Sequence, residues 1–159
     1  MKTTVITPEQ WNRQLGFCGE VKKYWQAQEI TPVAFVDTYG CQQNEADSEK
    51  LRGLCVAMGY ALCEEPADAD LILVNTCAIR EHAEIKALST VGQYKHLREK
   101  NPELLIGICG CMVAQPHRLE QLKRSFPYVS FVLGTSVLHR LPETMAKVLR
   151  EKKRSFTNA

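Results

Sequence analysis

Three short apolar runs, Val33 to Thr38, Leu71 to Thr76 and Leu104 to Gly110, punctuate the chain, and each is followed by residues whose apolar positions recur at helical spacing. Runs without a polar alternate face predict strands covered on both sides, the habit of a parallel sheet. After the first run, Leu51, Leu54, Cys55 and Met58 fall at i, i+3, i+4 and i+7, one helix face that closes near Gly59. After the second, Ala87, Leu88, Val91 and Tyr94 lead to a charged end at Arg98-Glu99-Lys100, broken by Asn101-Pro102. Pro116 starts a helix that carries Leu119 and Leu122 and closes at Phe126-Pro127. A further strand covers Val129 to Leu133, and a last helix from about Pro142 buries Met145, Val148 and Leu149. With a short strand at Tyr60-Ala61-Leu62-Cys63, the pattern predicts an α/β fold: a mainly parallel five-stranded sheet, three layers, in flavodoxin-like or Rossmann-like order.

Ahead of this alternation, Thr7-Pro8-Glu9-Gln10 has the spacing of a capping box with proline at the first helical position. Cys18, Val21, Tyr24 and Trp25 continue at helical intervals until Ile30-Thr31-Pro32. The chain therefore divides into a helical N-terminal extension over 1–32, an α/β domain over 33–150, and a stretch at 151–159 expected to begin a linker.

With 159 residues and 45% hydrophobic content, the sequence can bury a core. No apolar run approaches the roughly 18 residues of a membrane span, and Met1-Lys2-Thr3-Thr4 opens no signal-peptide core, so a cytoplasmic location without membrane contact is expected. Net charge of +2 is too mild to mark a nucleic-acid binder. Lys147, Arg150, Lys152, Lys153 and Arg154 read as a solvated helix end. No glycine-rich phosphate loop is present.

Seven cysteines suit neither a disulfide framework nor, lacking C-x-x-C, a zinc ribbon or thioredoxin pattern. Cys41, Cys77 and Cys111 each stand just past a predicted strand, at nearly equal separations. Parallel strands deliver their C-terminal ends to one edge, where open α/β sheets bind ligands, so the three thiols should converge. Three thiolates with one open position suit an iron-sulfur cluster better than structural zinc, which takes four protein ligands. Cys18 and Cys55 read as core. Cys109 competes with Cys111 for the third place, although it still lies within the apolar run, and Cys63, at another strand end, keeps some claim. His82, His96, His117 and His139 offer no evident fourth ligand. Asn44 and Asn75, close to the cysteines, suit either donation to cluster sulfur or the capping of turns.

Taken together, Thr38-Tyr39-Gly40-Cys41-Gln42 with Asn44 and Asp47-Ser48-Glu49, Val74-Asn75-Thr76-Cys77 with Arg80, and Gly110-Cys111-Met112 closely resemble the N-terminal domain of the radical-SAM methylthiotransferases. The likeness runs from Val33 to Gly134-Thr135 and on to Arg140-Leu141-Pro142-Glu143. It resembles the tRNA branch, which adds a methylthio group to C2 of N6-isopentenyladenosine beside the anticodon; other branches act on threonylcarbamoyl-adenosine or a ribosomal protein. The resemblance implies an auxiliary 4Fe-4S cluster on Cys41, Cys77 and Cys111. It also implies, for the whole enzyme, a second 4Fe-4S cluster, S-adenosyl-L-methionine, a central barrel and a C-terminal RNA-binding module that meets tRNA. One SAM would methylate a cluster-bound sulfur, and a second would yield the radical that removes hydrogen from adenine C2, which then takes the methylthio group. The barrel's C-x-x-x-C-x-x-C ligands are absent from these 159 residues, so the fragment alone is expected to be inactive. A stand-alone zinc or redox-thiol domain, and a flavodoxin-like interaction module with purely structural cysteines, are the other readings.

Overall fold

The computed structural model describes residues 5–39, 42–76, 81–110, 113 and 115–157, with side chains except at 42, 43, 81–84 and 157. The predicted alternation is present as α1 (Pro8–Ala27), β1 (Val33–Thr38), α2 (Gln42–Ala57), β2 (Ala61–Leu62), β3 (Leu71–Thr76), α3 (Glu81–Lys100), β4 (Leu105–Gly110), α4 (Pro116–Ser125), β5 (Phe131–Leu133), α5 (Leu141–Glu151) and β6 (Ser155–Thr157). Short 3-10 turns cover Pro66–Asp68 and Thr135–Arg140. The strands form one parallel sheet in the order β2-β1-β3-β4-β5-β6. Its first five members follow the flavodoxin-like order, which reverses direction between β1 and β3.

The described residues form six strands, one more than the pattern predicts. Residues 151–159, read from sequence as leading into a linker, contribute β6, which pairs with β5 through Phe131↔Ser155, Val132↔Phe156 and Leu133↔Thr157. A three-residue Ser-Phe-Thr strand after a basic run carries no hydrophobic period. What holds it is cross-sheet bonding and Phe156, whose ring lies 4.7 Å from the Arg154 guanidinium and 5.2 Å from Lys123 Nζ.

Helices cover both faces. Leu71 and Leu73 of β3 point to a core built with Cys18, Val21 and Trp25 of α1, Leu51 and Cys55 of α2, and Met145 and Leu149 of α5. Ile72 and Val74, one residue out of phase, point to the other core with Val91 and Tyr94 of α3 and Leu122 of α4. All six residues of β3 are buried, which is why its sequence shows no polar alternation. Burial of each large apolar side chain there contributes about 1.5–3 kcal/mol relative to exposure.

The predicted capping box is present, with Gln10 N donating to Thr7 Oγ1 at 3.1 Å and Thr7 N to Gln10 Oε1 at 2.9 Å. At its other end α1 stops on Glu29 in the left-handed region (φ 57°), with Ile30 N donating to Trp25 O and Glu29 N to Gln26 O. The helix is tied to the domain by Trp25 Nε1, which donates to Tyr60 OH at 2.9 Å, and by Gln14, which exchanges two bonds with Glu143. Hydrogen bonding from Arg140 holds the Glu143 carboxyl below its ordinary range.

The late basic cluster has specific work at the opposite end of the sheet. The Arg154 guanidinium donates to the carbonyls of Leu122, Lys123, Phe126 and Val129, satisfying the frayed end of α4. Lys152, left-handed at φ 57°, ends α5 and donates from Nζ to Tyr24 OH at 2.6 Å.

Gly107 lies mid-strand in β4, where a Cβ would overlap the Phe131 ring and approach Leu73 Cδ2 to 3.0 Å. Gly107→Ala should therefore lower unfolding free energy by about 1–3 kcal/mol in urea titrations, the usual cost of overpacking. An unchanged transition would mean that the ring has room to retreat.

Candidate metal centre

The C-terminal edge of the sheet is where β1, β3 and β4 end level with one another. Thr38 of β1 stands beside Asn75 of β3, and Thr76 stands beside Gly110 of β4. Adjacent strands lie about 4.8 Å apart, so the three ends span only about 10 Å. Cys41, Cys77 and Cys111 themselves lie outside the described residues. By sequence, Cys77 directly follows Thr76, Cys111 directly follows Gly110, and Cys41 follows Tyr39 by two positions. The β1–β3 boundary is also the switch point of the sheet, since α2 packs on one face and α3 on the other.

A buried polar lattice locks these ends. Asn75, fully buried in β3, donates from Nδ2 to Asn44 O at 2.8 Å and to Ser48 Oγ at 3.1 Å. Asn44 returns the contact across the gap, its Nδ2 donating to Thr76 O at 2.9 Å. Thr38 Oγ1 and Ser48 Oγ share a hydrogen bond of 2.6 Å, Thr76 Oγ1 donates to Cys109 O at 2.8 Å, and Tyr39 N donates to Asn75 O at 2.8 Å. Gly110 closes the third side at φ +104°, where a Cβ would overlap Thr76 O and sit 2.9 Å from Asn75 Oδ1. Among the described residues, Asn75 Oδ1 is buried without a hydrogen-bond partner. Leaving an amide oxygen in that state costs about 1–3 kcal/mol, which marks the edge as a place not optimised for stability alone.

The other candidates lie elsewhere. Cys18 and Cys55 occupy the core as expected, and burial pushes the Cys55 thiol up to about 12. Cys109 is also fully buried, on the core face shared with Cys55, and burial raises its thiol as well. Cys63 follows β2, which pairs only with the first residues of β1, so it sits low on the sheet, its Sγ donating to Glu65 O at 3.3 Å. His96 and His117 are exposed on helices. Among the described residues, no group of three His, Cys, Asp or Glu side chains is placed to hold a metal.

Ser48, Thr38 and Thr76, which the pattern of apolar positions passes over, turn out to complete the lattice. A signal was available: Asn44, Asp47 and Ser48 fall at i, i+3 and i+4, a polar inward face on α2 where an apolar one would be expected. Chemically, the edge presents the N-terminal ends of α2, α3 and α4, whose partial positive charge favours an anionic occupant. The residues present fit a thiolate-ligated cluster: closely spaced strand ends, three helix N-termini facing them, and a backbone approach that any side chain at Gly110 would block.

This arrangement defines a doubly wound α/β domain of flavodoxin-like strand order with a candidate site at the switch point. Residues 33–134 match the family described as "Uncharacterized protein family UPF0004", and the chain belongs to that family. It is 45% identical over 121 residues to the "tRNA-2-methylthio-N(6)-dimethylallyladenosine synthase" of Symbiobacterium thermophilum, covering 76% of this chain and 26% of that protein. It is 37% identical over 148 residues to the protein of the same name in Acetivibrio thermocellus, covering 91% of this chain and 31% of that one. The corresponding protein of Caldicellulosiruptor saccharolyticus is 47% identical over 116 residues, which are 73% of this chain and 25% of its own length. The chain thus spans about a quarter to a third of the curated relatives it matches. Among the described residues, no helix is long and apolar enough to cross a membrane.

Gly110→Ala should cost stability twice over, through the overlap with Thr76 O and through a left-handed φ that alanine resists. A loss of about 1–3 kcal/mol in denaturant unfolding is expected. A change under about 0.5 kcal/mol would contradict the close approach of β4 to β3 at this edge.

Proposed function

We propose that this domain holds an auxiliary 4Fe-4S cluster through Cys41, Cys77 and Cys111. We place it in a radical-SAM tRNA methylthiotransferase that modifies C2 of N6-isopentenyladenosine. The observation that carries the reading is the level ending of β1, β3 and β4, the three strands that these cysteines follow in sequence. The names of the relatives support the substrate class, and the cluster, when bound, supplies an iron with an exchangeable position at which sulfur can bind and leave. The chain's own part is to bring three thiolates together, face them with helix N-termini, and keep Cys18, Cys55 and Cys109 out of reach in the core.

On this reading the cluster domain begins at 33 and runs past 150 to include β6 at 155–157, 1–32 are a helical extension packed on the sheet, and a radical-SAM domain is a separate unit of the whole enzyme. That domain, with its own 4Fe-4S cluster and S-adenosyl-L-methionine, and a C-terminal RNA-binding module would complete a cytoplasmic enzyme acting on tRNA. The isolated fragment would be inactive.

Anaerobic reconstitution followed by iron and sulfide analysis tests this. About four of each per chain are expected, as a 4Fe-4S cluster requires. Cys41→Ala, Cys77→Ala and Cys111→Ala should each abolish or cripple uptake, while Cys55→Ala should cost only about 1–3 kcal/mol of packing. Stoichiometric zinc in place of iron, or unimpaired iron uptake by the Cys111→Ala variant, would overturn the assignment.

A further inference from the structure

Asn75 is a poor strand former in the middle of an apolar strand, and its burial requires that its amide be engaged. A primary amide has two N–H donors, and both are used, on Asn44 O and Ser48 Oγ. Asn44 O is a carbonyl that can only accept, so the amide is fixed in this orientation and cannot turn its nitrogen elsewhere. Asn75 therefore has no donor left for sulfur at the edge. The Asn44 amide donates from Nδ2 to Thr76 O, a bond that crosses from the first turn of α2 to the end of β3.

We propose that this reciprocal amide exchange is the device that sets the segment after Cys41 against the segment before Cys77, with Asn75 a positioning residue and not a donor to the bound group. Asn44 lies three positions after Cys41, and Asn75 two before Cys77, so the tie joins α2 to β3 at the switch point. Gly110 extends it to the third segment, because a Cβ there would overlap Thr76 O and crowd Asn75 Oδ1 at 2.9 Å. This inference rests on the cluster reading for its consequence, but the tie itself belongs to the protein without metal.

Two measurements on the full chain separate the possibilities. In the metal-free protein, hydrogen exchange of residues 42–50 should accelerate roughly tenfold or more in Asn75→Ala, while that of α5 stays at the parent rate. In the reconstituted protein, loss of iron to a chelator should quicken roughly 10- to 100-fold, as when supporting partners of metal ligands are removed, with the reduction potential unchanged. Asn44→Ala, which keeps its backbone carbonyl for Asn75, should show a smaller effect of the same kind and serves if Asn75→Ala folds poorly. The double variant should fall short of the sum of the two single effects, because the two bonds brace the same pair of segments. A shifted potential at an unchanged rate of iron loss would mean that Asn75 donates to sulfur and would overturn the proposal, as would unchanged exchange over 42–50. Failure of the parent chain to take up iron would sink the cluster reading instead, and the exchange experiment would still decide the tie.

Discussion

The structure depends on the in-register parallel pairing of β1, β3 and β4 more than on any other interaction. From Ala34↔Leu71 to Thr38↔Asn75, and from Leu71↔Leu105 to Thr76↔Gly110, no residue is inserted on either side. A slip of one residue would turn Ile72 and Val74 towards the wrong helix layer and carry Asn75 out of reach of α2. The apolar phase of β3 and the polar lattice at its end thus enforce the same register from two directions. Hydrophobic burial supplies most of the driving force, and the directed hydrogen bonds of Asn75, Asn44 and Ser48 fix where the strands stop.

That register also polarises the domain. Every helix between parallel strands runs back across the sheet, so helix N-termini gather at the edge that the cysteines follow and C-termini at the other. Basic residues accordingly sit at the negative ends: the late Arg154 on carbonyls in the last turn of α4 and Lys152 at the end of α5, and Arg98 on Pro102 O past α3. An RNA-binding role is not needed to account for them. The opposite edge, with the N-terminal ends of α2, α3 and α4, keeps its partial positive charge for an anionic occupant.

Much of this was legible in the chain because burial on both faces leaves a simple mark. Continuous apolar runs gave β1, β3 and β4, and the spacing of Leu51, Cys55 and Met58 gave α2, since these depend on local period alone. The capping box at Thr7 was equally local. What escaped is what depends on distant partners. β6 is held by β5 and by its contacts with Lys123 and Arg154, and three residues of mixed character carry no period. Asn75 could be singled out as a neighbour of a cysteine, but the use of its amide depends on a carbonyl 31 positions away. Cys109 and Cys111 are two apart in sequence, and alternation along a strand would put them on one face. Gly110, the last residue of β4, leaves the extended region at φ +104°, a departure from regular alternation that the sequence does not show.

The central claim is that Cys41, Cys77 and Cys111 meet at one point, and arsenite binding to the reduced, metal-free chain tests it most directly. Trivalent arsenic takes three thiolates in a compact pyramid and reports their convergence without any need for iron, sulfide or catalysis. One arsenic per chain is predicted, with three sulfur neighbours by X-ray absorption, lost on replacing Cys41, Cys77 or Cys111 and retained in Cys18→Ala, Cys55→Ala and Cys109→Ala. A site that survives removal of Cys41, Cys77 or Cys111, or one that disappears in Cys109→Ala, would contradict the account.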